Sequence, residues 1–202
     1  MADWLRQLEI RAPDAVAAWR GIDRDVSLSV RREIRRRAGE GSAPRLAVEL
    51  AHLTAALTEM TAVLPDVAFA LPGGEEDWNV AETIGHDVKA RVGLTLAAAQ
   101  ATTGRLPPET PVMVPSVPGS PVATREELLR KLVQSQRLID RAAEAVAGHE
   151  TMHCPLEHPL VGRLRCGEWL LFAGVHDLMH LEQLHEILAR PNVGGLPHRP
   201  PT

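Results

Sequence analysis

Apolar residues recur along this chain with the period of α-helices. The clearest series lies between Pro44 and Pro65, where apolar side chains alternate at intervals of four and three residues: Leu46, Leu50, Leu53, Leu57, Met60 and Leu64. This heptad spacing predicts a helix with one buried face, which begins near the first proline and ends before the second. No alternating run of convincing strand length stands out. The pattern therefore predicts an all-α fold.

Four more helices are predicted from capping and breaking residues, over residues 13 to about 39, 79 to about 102, 124 to about 147, and about 166 to 189. Two of them open with a capping box, formed by Asn79 with Glu82 and by Thr124 with Glu127. The proline-rich residues 104–123 make a long crossover. We expect a four-helix bundle over residues 42–190, an N-terminal helical extension over 1–41 packed on it, and a flexible tail over 191–202.

The candidate chemistry lies on the last predicted helix, within residues 168–183. His176 and His180 are about one helical turn apart and share a face, which also carries Trp169 and Gln183 among apolar residues. Two ionisable rings in a core stripe are costly unless something binds them. A metal ion would satisfy both rings.

A third ligand should come from another helix, because bundles place ligands on the inward faces of different helices. His86 is the best candidate, since small neighbours such as Gly93 leave room beside its ring. Three imidazoles leave coordination positions open, as in catalytic sites, and accept zinc, nickel, copper or iron. Gln183 lies near enough to orient His180, and Trp169 is expected in the core or the pocket wall. The alternative is a degenerate site whose histidines hydrogen-bond to one another.

Composition narrows the functional classes. The chain has 202 residues, a formal net charge of -4 and two cysteines, and it lacks a run of about 18 apolar residues. These features argue against a general nucleic-acid binder and a membrane span, and the start lacks a secretory pattern, so a cytoplasmic location is expected. The basic cluster at residues 31–37 is explained most simply as cations at a helix C-terminus. Cys166 lies near a helix start that could favour a thiolate, although a partly buried small residue is the simpler interpretation.

A second motif competes with the histidine pair. Residues 149–153, His-Glu-Thr-Met-His, match the H-E-x-x-H pattern of zinc peptidases. That mechanism needs both histidines on one face of a stable helix. Gly148 precedes the motif and Pro155 closely follows it, so the peptidase is a minor alternative.

Three stretches of the chain, residues 78–86, 158–164 and 168–183, together resemble the DinB/YfiT-like superfamily of metalloenzymes. They contain in order a tryptophan, helix cap, glutamate and histidine, then a histidine-proline and glycine, then the histidine pair. The resemblance covers about residues 45 to 190, and it implies a four-helix bundle with a metal site at His86, His176 and His180. The chain departs from the family at Arg165, where relatives often have a Ser or Thr cap, and in the extra segment before Pro44.

The same resemblance implies a range of functions. Some relatives transfer low-molecular-weight thiols such as bacillithiol or mycothiol, and many are dimers. We therefore expect a metal-dependent transferase or hydrolase that activates a thiol or water towards a small-molecule substrate, in a homodimer. The rival is a non-catalytic stress-response or interaction protein with the same bundle. A general base is not evident, because Asp87 and Asp177 each follow a ligand and point about 100° away from it, towards supporting or surface positions.

Overall fold

The computed structural model describes residues 3–21, 27–73 and 77–190. Within these ranges the chain forms α1 (Asp3–Arg11), α2 (Pro13–Arg20), α3 (Ser27–Arg37), α4 (Ala43–Val63), a 3-10 helix (Asp66–Ala70), α5 (Val80–Thr102), α6 (Arg125–Val146), β1 (His153–His158), β2 (Gly162–Arg165) and α7 (Cys166–Leu188). The two strands form one small antiparallel hairpin, and the other elements of the described residues are helices. The predicted all-α class is therefore confirmed. The expected tail over residues 191–202 lies outside the described residues.

Helices α4 to α7 form a four-helix bundle in which α4 and α5 each pack against both α6 and α7. The leucine series of α4 points into this bundle, and each of its six residues is at most 5% exposed. The predicted helix and its buried face are therefore confirmed. By length and composition alone α4 could also cross a membrane, a property that buried core helices share.

The prediction of one helix over residues 13–39 is wrong. The segment forms α2 and α3, and α1 precedes them; residues 22–26 between the two helices lie outside the described residues. Ala15 on α2 and Ile34 on α3 are both buried, as the predicted stripe required. The period alone does not reveal the break, because both short helices turn their apolar faces towards α7.

Hydrogen bonds and ion pairs of polar side chains connect these N-terminal helices to the bundle. The buried carboxylate of Glu49 on α4 accepts the N–H of Asp14, at 3.0 Å, at the start of α2. Arg37 pairs with Asp14 at 2.8 Å, and Arg35 pairs with the buried Glu168 of α7 at 3.0 Å. The arginine cluster of residues 31–37 therefore contributes ion pairs that hold α3 against the rest of the chain.

The helices that carry the site begin at defined caps. Asn79 accepts the N–H of Glu82 at 2.9 Å and donates its own N–H back to the Glu82 carboxylate at 3.0 Å, which confirms the predicted capping box of α5. Arg165 occupies the cap position of α7, and its N–H donates to the Glu168 carboxylate at 2.8 Å. The start of α7 is thus fixed by Glu168 even though the Ser or Thr of the family pattern is missing.

The hairpin formed by β1 and β2 was not predicted from the sequence. Only Cys154 and Leu156 of β1 are buried, and Pro155 lies between them, so the alternation is too short to stand out. A proline is tolerated here because both strands of a two-stranded sheet are edges. The crossover segment joins β1 through the Val114 N–H, which donates to the Glu157 carbonyl at 2.8 Å. The hairpin therefore holds the crossover close to the start of α7.

Candidate metal centre

Three histidine rings converge inside the bundle, His86 from α5 and His176 and His180 from successive turns of α7. The Nε2 atom of His176 lies 3.3 Å from Nε2 of His86 and 3.4 Å from Nε2 of His180. A ligand atom from each ring lies within 4.8 Å of those of the other two. None of the three residues is more than 8% exposed. The structure thus brings together the three side chains chosen from the sequence, and as a group they could hold a metal ion.

Each ring is oriented by an oxygen atom that faces its other nitrogen, Nδ1. The distances are 2.9 Å from His86 to the Val117 carbonyl, 3.2 Å from His176 to the Asp87 carboxylate, and 2.8 Å from His180 to the Gln183 side-chain oxygen. Carbonyl and carboxylate oxygens can only accept, so each Nδ1 carries the proton and donates it. Gln183 therefore lies where the sequence suggested, beside His180.

The orientation of the rings decides what their Nε2 atoms can do. A neutral imidazole with its proton on Nδ1 has a lone pair on Nε2. Three lone pairs therefore face one another, without the hydrogen atom that a mutual hydrogen bond between the histidines would need. A tetrahedral zinc ion with Zn–N distances of about 2.0–2.1 Å would separate its ligand nitrogens by about 3.3–3.4 Å. The distances from His176 Nε2 to the other two Nε2 atoms fit such an ion, and a cation would relieve the repulsion between the lone pairs.

The electrostatic surroundings favour the same protonation state. Burial lowers the pKa of His176, which keeps the ring neutral and able to bind a metal. Burial alone would raise the pKa of Asp87, but the hydrogen bond from His176, together with the positive charge of Arg91, outweighs it and lowers the pKa to about 2. Asp87 is therefore ionised at neutral pH and holds the Nδ1 proton of His176 in place.

A fully buried ion pair supports Asp87. Arg91 on α5 donates to Asp177 at 2.8 Å, to the Ser135 hydroxyl at 3.2 Å and to the Leu50 carbonyl at 3.4 Å. Burial raises the pKa of Asp177 well above its usual value, because Arg91 only partly offsets it and the nearby Asp87 adds to the rise. Asp87 is therefore the more acidic of the two neighbouring carboxyl groups, and Arg91 supplies positive charge beside both.

A close approach of the crossover to α5 places the Val117 carbonyl within hydrogen-bond distance of His86 Nδ1. A Cβ atom built on Gly85 would lie 2.7 Å from the Gly119 Cα atom, and one built on Gly119 would lie 2.6 Å from the Glu82 carbonyl oxygen. The Gly119 N–H donates to that same oxygen at 2.9 Å. The two glycines therefore permit the contact that orients the His86 ring.

A cavity of about 490 Å³ opens beside the three rings, between α5, the crossover, the hairpin and α7. Its wall is mostly apolar, and Gly93 contributes to it with open space where a Cβ would stand. His158 lines the cavity from the end of β1. Trp169 does not line it; this residue is fully buried and packs against Phe172, with ring centroids 6.0 Å apart. Of its two expected positions, Trp169 therefore takes the core.

The competing peptidase motif lacks the required geometry. Residues 149–152 form turns and His153 already belongs to β1, so the motif does not lie on a helix. The carboxylate of Glu150 is buried and accepts the N–H of Ala43 at 3.1 Å, so it caps the start of α4.

Cys166 is also buried, and its hydrogen bond to Cys154 together with burial raises its pKa, so the thiol stays protonated. Cys166 is therefore a structural residue, and it is fully buried where partial burial was expected.

Sequence reasoning placed Gln183 beside His180, but it did not find the partners that orient the other two rings. Val117 acts through its backbone, which leaves no side-chain signal. Asp87 follows one ligand but binds the ring of His176 on another helix, and its only sequence signal is a charge in a helix segment rich in small and apolar residues. His158 could have been suspected only from the histidine-proline pair of the family resemblance.

The fold and the site together define the class: helical-bundle proteins with a buried three-histidine group on two neighbouring helices. Residues 49–184, more than half of the chain, match the family model of the DinB superfamily, and the chain belongs to this family. No curated protein and no solved structure matches the chain. The family assignment suggested by the sequence motifs is therefore confirmed.

Proposed function

We propose that this protein binds one divalent metal ion through His86, His176 and His180 and uses it on a small molecule held in the adjoining cavity. The observation that carries this proposal is the orientation of the three rings. All three Nδ1 atoms donate to oxygen, so all three Nε2 lone pairs are directed inwards, and His176 Nε2 lies at the spacing of metal ligands from the other two. A purely structural role would not need three buried lone pairs to face one another.

We propose further that the reaction is a transfer of a thiol, or of water, to an electrophile. A metal ion bound by three imidazoles keeps a position open and would lower the pKa of a thiol or water there. The residues of the chain would supply orientation and exclusion of solvent. Asp87, Gln183 and the Val117 carbonyl hold the rings, and the apolar cavity wall separates the reacting molecule from bulk water.

Elemental analysis of the purified protein tests the metal site directly. We expect about one equivalent of zinc, nickel or iron per chain in the wild type and a strong loss in the His86→Ala variant. His153→Ala is the matched control, because that histidine is exposed at the start of β1 and lies outside the three-histidine group. Equal metal content in the wild type and the His86→Ala variant would contradict the proposed site.

A transfer assay tests the reaction. Monochlorobimane is a suitable electrophile, since the sulfur of a small thiol replaces its chloride, and the proton and chloride are released to solvent. We expect turnover with bacillithiol, mycothiol or another cysteine-derived thiol, and its loss in the His176→Ala variant. Full metal content without turnover, in this assay and in ester hydrolysis, would instead favour the non-catalytic stress-response or interaction protein.

A further inference from the structure

We propose that the cavity beside the three histidines binds an apolar molecule, neutral or anionic, whose hydrogen-bond acceptor is held by the Nε2–H group of His158. This inference deepens the proposed function, because it names the class of molecule that would meet the metal centre. Whether the bound molecule is a substrate depends on the proposed function. The binding itself follows from the residues of the cavity.

The backbone of the hairpin fixes the tautomer of His158. The N–H of Leu160 donates to Nδ1 of this ring at 3.1 Å, so Nδ1 must carry a lone pair and the proton of the neutral ring lies on Nε2. Burial and the nearby His176 and His86 lower the pKa of His158 to about 4, so the ring is neutral at physiological pH. Among the described residues none makes a hydrogen bond to Nε2. His158 therefore presents one fixed donor and no charge.

Aromatic contacts hold this donor at the wall of the cavity. The His158 ring meets Phe172 edge-on with centroids 4.7 Å apart, and Trp169 lies behind it at 6.4 Å. Phe172 is one helical turn before His176, and their ring centroids are 6.5 Å apart. His158 thus borders the cavity from the hairpin, and the three metal-site histidines border it from α5 and α7. An acceptor held by His158 would keep the rest of its molecule next to the metal site.

The charge of the cavity selects against cations. Of the described residues that line it, none is acidic, and Lys89 is the one permanent cation. The ammonium of Lys89 donates to the Pro118 carbonyl at 2.7 Å at the rim. A bound ammonium or guanidinium group would therefore lose its hydration without gaining a carboxylate partner. A neutral amide, ester or ketone, or a carboxylate, meets apolar walls and donors instead.

Three eight-carbon probes that differ only in their head group test this proposal: octanamide, octanoate and octylamine. Isothermal titration of the protein as purified should show octanamide and octanoate binding at least about tenfold more tightly than octylamine. The His158→Phe variant keeps an aromatic ring but loses the donor, and we expect about 3- to 10-fold weaker octanamide binding, the range of one neutral hydrogen bond. His153→Phe, on the exposed end of the same strand, should bind octanamide like the wild type. Octanamide is the deciding probe, because octanoate could also bind a metal directly.

Two further measurements keep the test decisive if His158→Phe does not fold. His158→Gln returns an N–H donor and should recover part of the octanamide affinity. Long-range proton–nitrogen NMR of the wild type should show the His158 proton on Nε2, with a signal that moves when octanamide is added. A proton on Nδ1, equal octanamide affinity in wild type and His158→Phe, or tight octylamine binding would overturn the proposal. If the purified protein contains no metal but still binds octanamide in a way that depends on His158, the proposed binding cavity is upheld. Only the proposed metal function is then refuted.

Discussion

Replacement of Arg91 by methionine tests whether the buried network beneath the metal site is electrostatic. Arg91 and Asp177 are both 0% exposed, and the arginine makes three hydrogen bonds within the bundle. Its loss leaves Asp177 without its ion-pair partner and removes a positive charge near Asp87. Removing one partner of a buried ion pair costs about 3–5 kcal/mol. This is a large share of the about 5–15 kcal/mol that stabilises a typical domain.

Urea unfolding followed by circular dichroism measures this loss as a change in the free energy of unfolding. Arg130→Met is the control, because Arg130 is exposed on α6 and its replacement should change stability by less than about 0.5 kcal/mol. The pH dependence separates charge from packing. Without Arg91 the folded state holds protons on Asp87 and Asp177 more tightly than the wild type does, so the deficit should grow as pH rises above about 2, the folded-state pKa of Asp87. A deficit below about 1 kcal/mol, or one independent of pH, would refute the assignment of Arg91 as the balancing charge.

Three further predictions address the neighbouring parts of the site. Gln183→Leu removes the acceptor that orients His180, so zinc affinity measured by chelator competition should fall about 10- to 100-fold; unchanged affinity would show that the contact does not matter. Gly119→Ala places a methyl group 2.6 Å from the Glu82 carbonyl and should cost about 1–3 kcal/mol in urea unfolding, whereas wild-type stability would mean that the crossover can shift freely. The pKa of His158 falls from 6.5 to about 4 in the folded state, so its neutral form contributes stability that is fully present above about pH 6.5. This contribution, about 3 kcal/mol, should be lost as pH falls towards 4. The His158→Phe variant should lose this component, so a stability–pH curve parallel to that of the wild type would contradict the shift.

The parts of the fold that could be predicted from the sequence are those encoded by local signals. The leucine series of α4 and the capping box at Asn79 act within one helix, so they predicted the boundaries of α4 and α5 closely. The break between α2 and α3 has no such signal, since both helices continue one apolar period. The hairpin depends on contacts with the crossover and α7, which no window of the sequence contains.

The same distinction explains what could be predicted of the site. His176 and His180 share a face because of the helical period alone, and His86 follows from the need for a ligand on a second helix. The contact between Asp87 and His176 depends on how α5 and α7 are rotated and shifted against each other. That relation is fixed by packing of the whole bundle, so spacing along the chain could place Asp87 on α5 but not against the ring.

The two ligand helices orient each other's histidines, and this couples metal binding to the assembly of the bundle. Asp87 on α5 holds the ring of His176 on α7, while the crossover that follows α5 holds the ring of His86. His180, in contrast, is oriented by a residue of its own helix, Gln183. A change that loosens the packing of α5 on α7, or lifts the crossover, must therefore weaken metal binding even when all three ligands remain. The affinity of the centre is in this sense a property of the contact between two helices and a loop, and variants at Arg91 and Gly119 should lower it without touching a ligand.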